Sequence, residues 1–228
     1  LLGVDFFRRV VELQKRYAGG KEVHNSIQTN ATKIDDEWAA FLAENRFLVG
    51  VSIDGPADLH DAYRKDRRGG PSHEQVMRGI RTLQKHGVDF NTLTVVHRVN
   101  APHPLKVYRF LRKLGSRYMQ FIPIVERIPD ERAREMGLDL SLPPKTDEEE
   151  ARRVTEWSVR PREWGKFLID VFDLWVRQDV GRVFIQSFDS ALANWTQMGP
   201  AVCVSSSVCG NALVMEHNGD VFACDHFV

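Results

Sequence analysis

The apolar positions of this chain alternate between two periods. Phe6, Phe7, Val10, Val11, Leu13 and Tyr17 recur at helical intervals and stop at Gly19 and Gly20, which predicts an amphipathic helix over Asp5 to Tyr17. EVHNSIQTN then alternates as a strand should, and Asp35 and Asp36 can cap a helix carrying Trp38, Phe41 and Leu42. FLVGVSID is a short apolar run stopped by Gly55 and Pro56, as in a buried strand. The rhythm then repeats: a helix near Ser72–His86, strand DFNTLTVV, a helix near Pro104–Leu114, strand YMQFIPIV, a helix near Arg162–Val180 and strand VFIQSF.

Strands separated by helices run parallel, because each crossover must return across the sheet, so the expected fold is α/β, built of parallel β/α units. The segment 127–160 breaks the rhythm with Pro143, Pro144 and an acidic run from Asp147 to Glu150, and reads as a solvated insertion. In such folds sites collect beyond the C-terminal ends of the strands. Those ends carry Gln28 and Asn30, Ser52 and Asp54, His97, Val125 and Glu126, and Ser187 and Asp189. Any polar one of them alone has the plain reading of a cap on the next helix; together they predict a polar-lined cavity.

Composition narrows this picture. With 228 residues, 43% of them hydrophobic, the chain can fill a full-sized core, so a wholly disordered protein is excluded. Its 31 basic and 31 acidic residues cancel, so the overall charge suggests no nucleic-acid partner, although Arg64, Lys65, Arg67 and Arg68 form a local candidate for binding anions. No leader and no apolar run of about 18 residues is found, so a soluble, cytoplasmic protein with no membrane partner is expected. The opening LLGVDFFRRVVELQ lacks a methionine and lies one turn from a helix, which predicts an internal fragment.

All three cysteines, Cys203, Cys209 and Cys224, fall within the last 26 residues. Gly219 supplies a turn between VMEH and DVFAC, so a hairpin can bring thiolates toward one metal centre. Zinc and an iron–sulfur cluster both remain open, and both ordinarily use four protein ligands, of which three are present. Small buried thiols, or a disulfide, are the plainer alternative.

At this point the motifs carry a resemblance. Cys209-x9-Gly219-x4-Cys224 resembles the opening signature of the SPASM extension of radical S-adenosylmethionine enzymes that modify peptides. VGVSIDGPADLHDAYRKDR, the SIQTN strand and the CDHFV ending resemble the anaerobic sulfatase-maturating enzymes within that group. The family's C-x3-C-x2-C loop and GGEP motif are not in this sequence; they are expected before Leu1, and the later SPASM cysteines after Val228. The resemblance implies a partial (β/α)6 barrel lacking its N-terminal units over residues 1–198, then the start of a SPASM auxiliary-cluster region over residues 199–228. It implies that a [4Fe-4S] cluster reductively cleaves S-adenosylmethionine to a radical that abstracts hydrogen from a cysteine or serine of a sulfatase, giving Cα-formylglycine. By position, Ser52, Arg64 and Val125 match cofactor contacts, Asp225 matches the proton acceptor, and Cys203, Cys209 and Cys224 match auxiliary cluster ligands. The implied partners are a sulfatase polypeptide and an electron donor such as flavodoxin or ferredoxin.

Each transfer has a physical basis beside a plainer reading. Ser52 ends a central strand, or merely begins the SIDGP turn. Arg64 offers five donors and a fixed charge to a carboxylate, or is one more solvated cation. Val125 can give packing or backbone contacts only, or belong to the core. Asp225, beside a cysteine pinned to a cluster, can act as a general base, or be an ordinary turn residue; His97 reads as structural. Two rival functions stay open: a SPASM enzyme forming a thioether or carbon–carbon crosslink, and a non-catalytic peptide-binding scaffold stapled by zinc. With no ligands for the cofactor-cleaving cluster among them, residues 1–228 alone are expected to be inactive.

Overall fold

The computed structural model describes residues 2–129, 131–137, 154–199, 202–203, 206–208 and 213–224. Packing divides the chain into two units, Leu1–Val183 and Phe184–Val228.

In the first unit, α1 (Val4–Tyr17) is followed by β1 (Ser26–Thr29), α2 (Asp36–Glu44), β2 (Leu48–Ser52), the short α3 (Ala57–His60), α4 (His73–Lys85), β3 (Phe90–Val96), α5 (Pro104–Lys113) and β4 (Tyr118–Pro123). The sequence signals act as expected. Asp35 caps α2 by accepting a hydrogen bond from Trp38 N at 2.9 Å, and Pro104 opens α5 where its missing N–H costs nothing. The four strands pair in parallel in sequential order, with Gln28 beside Gly50, Gly50 beside Asn91, and Leu93 beside Gln120.

One face of this sheet is a hydrophobic core. Val49, Val51, Thr92, Thr94, Val96, Met119 and Phe121 are buried, and the helices bury Ile80 and Leu83 of α4, and Val107, Tyr108 and Leu111 of α5. The two threonines keep their hydroxyls in this apolar layer by bonding: Thr92 Oγ1 to Ser116 Oγ at 2.9 Å, Thr94 Oγ1 donating to Ile53 O at 2.7 Å. The long helix α7 (Pro161–Gln178) sets Phe167 edge-on to Phe121, ring centres 5.1 Å apart. Its end is tied to α5: Tyr108 donates its hydroxyl to the buried Asp179 at 2.7 Å, and Arg112 approaches the other carboxylate oxygen at 3.0 Å.

Segment 127–160 corrects the solvated reading in part. Its middle lies outside the described residues, apart from the short helix α6 (Glu131–Glu135), but its end returns to the sheet. Ser158 and Val159 are buried; Val159 N donates to Ile124 O at 3.0 Å, and Glu126 N donates to Ser158 Oγ at 3.0 Å. The run of Pro and Glu is uniform enough in sequence to hide this short return.

The second unit begins with the strand β5 (Phe184–Ile185), which is shorter than VFIQSF: from Gln186 to Trp195 the chain is a helix, α8. Ser187 and Asp189 therefore lie in a helix rather than at a strand end. Asp189 sits in its first turn, where a carboxylate suits the helix dipole, and burial raises its pKa. The expected hairpin is present. β6 (Val214–Met215) pairs antiparallel with β7 (Val221–Phe222), and Gly219 takes φ +92°, the left-handed backbone that its turn requires. No helix among the described residues is long and apolar enough to cross a membrane.

Candidate active site

The other face of the sheet is less buried and mixes polar side chains with Leu93, Val95 and Ile122. A Cβ added at Gly50 would meet Leu93 Cδ1 at 2.7 Å and Gln28 Cγ at 3.3 Å, so these three share a face, and side-chain alternation puts Ser52, Asn91 and Gln120 on it too. Gln28 is exposed, and Ser52, Asn91 and Gln120 are half-buried. A parallel sheet buried on both sides reads as a near-continuous apolar run. Here hydroxyl and amide groups interrupt Leu93, Val95 and Ile122, and the side chains of Ser52, Gln28, Asn91 and Gln120 have no hydrogen-bond partner among the described residues.

Beyond Ser52 the end of β2 is built to hold a charge. Asp54 is 2% exposed; its Oδ1 accepts from Val95 N at 2.8 Å, and its two oxygens receive the Arg64 fork, Nε at 2.5 Å and Nη2 at 3.2 Å. Arg64 is thus not a solvated cation: two of its three nitrogens face a buried carboxylate, and Nη1 has no partner among the described residues.

The loop bearing Arg64 is fixed as firmly. Asp54 N donates to His60 Nδ1 at 3.2 Å, so a neutral ring carries its proton on Nε2, which lies 3.1 Å from Ser72 Oγ; Ser72 in turn donates to Arg64 O at 2.8 Å. Burial, outweighing the nearby Asp54 charge, pushes the His60 pKa down to about 4, which keeps this chain of bonds in its neutral form at physiological pH. Asp61 Oδ1 accepts from Ser72 N and His73 N, anchoring the start of α4. On the β3 side, Asn100 Nδ2 donates to Asp54 O and Val95 O at 3.2 and 2.8 Å, and its Oδ1 accepts from His97 N at 2.8 Å.

His97, at the end of β3, is structural on one side only. Nδ1 accepts from Val99 N and Asn100 N, while the buried Nε2 has no hydrogen-bond partner among the described residues; burial lowers its pKa, and the Tyr63 ring stands edge-on at 4.7 Å. Val125 follows β4 and is 48% exposed, so it is not a core residue; the buried return segment bonds to the residues on both sides of it.

The structure therefore gathers Ser52, Arg64, Asp54 and His97 around the C-terminal ends of β2 and β3, with Val125 following the adjacent β4. Sequence reading missed the roles of His60, Ser72 and Asn100. Their signal is faint: His60 lies between the Gly55–Pro56 turn and Arg64, Ser72 just before a helix and Asn100 just after a strand, with nothing in the sequence to show that they are buried. Cys203 is exposed and Cys224 half-buried beyond β7; Cys209 and Asp225 lie outside the described residues. No group of three or more His, Cys, Asp or Glu suited to a metal occurs among the described residues.

Comparison with known proteins gives this site a context. Residues 1–111 match the Radical SAM superfamily. A serine-type anaerobic sulfatase-maturating enzyme from Bacteroides thetaiotaomicron is 48% identical over 99% of this chain and 53% of its own length. A cysteine-type enzyme from Clostridium perfringens is 33% identical over the whole chain and 57% of its own length. The solved structure of native anSMEcpe with bound AdoMet superposes with a TM-score of 0.83 at 32% identity, covering 99% of this chain and 57% of that one. The chain spans about half the length of the curated relatives it matches. Motifs, parallel sheet and end-to-end similarity agree: residues 1–111 match the Radical SAM superfamily, and the similarity to the anaerobic sulfatase-maturating enzymes runs through the whole length of the chain.

Proposed function

We propose that this chain is the barrel portion, with the beginning of a SPASM auxiliary-cluster region, of an enzyme that oxidises a serine or cysteine of a sulfatase to Cα-formylglycine. One observation carries this most: similarity covering 99% of the chain or more to maturases of both serine and cysteine type, at 48% and 33% identity.

The residues present fit the cofactor that such an enzyme needs. Arg64 has no partner for Nη1 among the described residues and stands beside a rigid strand end, suited to the carboxylate of S-adenosylmethionine. Ser52 offers a hydroxyl with no partner among the described residues, suited to the ribose or amino-acid portion, and Val125 offers exposed packing surface. When bound, S-adenosylmethionine and its [4Fe-4S] cluster supply hydrogen-atom abstraction. Cys203, Cys209 and Cys224 are assigned to an auxiliary iron–sulfur cluster. Asp225, next to Cys224, is assigned the proton of the substrate hydroxyl or thiol. A flavodoxin- or ferredoxin-type electron donor and a cytoplasmic setting complete the proposal.

Anaerobic co-expression of the intact enzyme with a serine-type or a cysteine-type sulfatase tests it. Formylglycine should appear in at least one sulfatase and depend on the enzyme; unmodified serine and cysteine in both would refute it. The Asp225→Asn enzyme should still cleave S-adenosylmethionine yet lose about 10²–10⁴-fold in formylglycine formation, the span of general-base help. Wild-type yields of both products would reduce Asp225 to a turn residue.

A further inference from the structure

We infer that Asp54 is the positioning residue of the cofactor site: it holds the Arg64 guanidinium by two of its nitrogens so that the third, Nη1, is presented to the carboxylate of S-adenosylmethionine. This inference rests on the assignment of Arg64 to the cofactor carboxylate.

Four observations lead to it. First, the pair is asymmetric: the Asp54 side chain is 3% exposed and that of Arg64 28%, so the carboxylate is part of the framework while the guanidinium reaches outward from it. Second, Asp54 is itself immobilised, by Val95 N on its side chain, by His60 on its backbone N–H and by Asn100 on its carbonyl. Third, the Arg64 main chain is held separately, through Ser72 Oγ on its carbonyl and His60 O on its N–H. An arginine on a surface loop samples many rotamers; this one is fixed at both ends, so little conformational freedom is left to lose when an anion binds. Fourth, a buried ion pair is a poor device for stability alone, because desolvation offsets much of its attraction, whereas here it directs a polar head toward the less buried face.

The chemistry sets what each substitution does. Asn at position 54 can still accept from Val95 N, but its amide N–H2 opposes the Arg64 donors and expels the guanidinium. Glu keeps the charge and moves it by one methylene, displacing the fork. Neither change touches the cofactor directly.

The test is equilibrium binding of two probes to the intact, cluster-loaded enzyme: S-adenosylmethionine, and 5′-methylthioadenosine, which lacks the carboxylate. Asp54→Asn and Arg64→Ala should each raise the Kd for S-adenosylmethionine about 10- to 100-fold, the range for losing a charge-assisted hydrogen-bond pair. The double variant should be no weaker than Arg64→Ala, because both act through one contact. Affinity for 5′-methylthioadenosine should not change in any of them. Native S-adenosylmethionine affinity in Asp54→Asn, losses that multiply in the double variant, or an equal loss for both probes would each overturn the inference. If Asp54→Asn does not fold, Asp54→Glu gives the same reading: weakened S-adenosylmethionine beside native 5′-methylthioadenosine supports it, and native affinity for both overturns it. An unaffected Arg64→Ala would remove the assignment of Arg64 and this inference with it. An affected Arg64→Ala beside an unaffected Asp54→Asn would remove only the part played by Asp54.

Discussion

Arg64 shows what a single residue gains from its surroundings. Its two-pronged contact with Asp54 needs a planar fork, which lysine lacks, although lysine keeps the charge. Arg64→Lys should therefore raise the Kd for S-adenosylmethionine by about tenfold, the consequence of losing roughly 1.4 kcal/mol; an unchanged Kd from calorimetric titration would count against the role. The sequence singled out Arg64 and Ser52 as candidates because they stand in a long motif. The partner of Arg64 was not singled out: Asp54 was visible only as a polar strand end, since no spacing rule tells which of two charges ten residues apart will be buried. His97 was half legible. The reading of it as structural holds for Nδ1, and the unpaired Nε2 depends on packing that no local pattern encodes.

Elements meet at contacts that can be weighed individually. A Cβ on Gly79 of α4 would lie 2.1 Å from Ala31 O, where the buried Ala31 turns the chain out of β1 with φ +56°. That neighbour is backbone and cannot step aside, so Gly79→Ala should cost roughly 3 kcal/mol, at the upper end of overpacking. Gly50→Ala meets the end of the Leu93 side chain and Gln28 Cγ, with Ile27 O at an ordinary 3.7 Å, and should cost about 1 kcal/mol. Chemical denaturation of the two variants checks the order, and equal losses would contradict it. Tyr108→Phe removes the hydroxyl that joins α5 to Asp179 beyond α7, and leaves a buried carboxylate oxygen short of a donor; about 1–3 kcal/mol should be lost. Helix caps, glycine stops and the Gly219 hairpin were legible because their chemistry is local. The conversion of Gln186–Trp195 to helix was not, because VFIQSF satisfies a strand pattern and a helix start equally well.

Across the molecule, burial lowers the pKa of three histidines, His60, His73 and His97. The unfolded chain takes up these protons near the ordinary histidine pKa of about 6.5, while the folded chain resists them, His60 until about pH 4. Stability from these groups is complete above the unfolded value and is lost as pH falls through the window below it. The thermal midpoint should therefore drop between about pH 7 and pH 5, and His60→Gln should reduce the drop; a midpoint that rises on acidification would contradict this. The α/β order was legible from periodicity because parallel strands and their covering helices leave strong signals, whereas the polar groups of the less buried face showed only after register set Gln28, Ser52, Asn91 and Gln120 side by side. The account as a whole is tested most directly by one measurement. The intact enzyme is incubated anaerobically with S-adenosylmethionine, a reductant and a peptide carrying a sulfatase active-site motif with serine or cysteine, and peptide mass and 5′-deoxyadenosine are followed together. The predicted result is formylglycine, seen on the serine peptide as the loss of two hydrogens, rising in step with 5′-deoxyadenosine; a crosslinked peptide, or 5′-deoxyadenosine with both peptides unaltered, would contradict it.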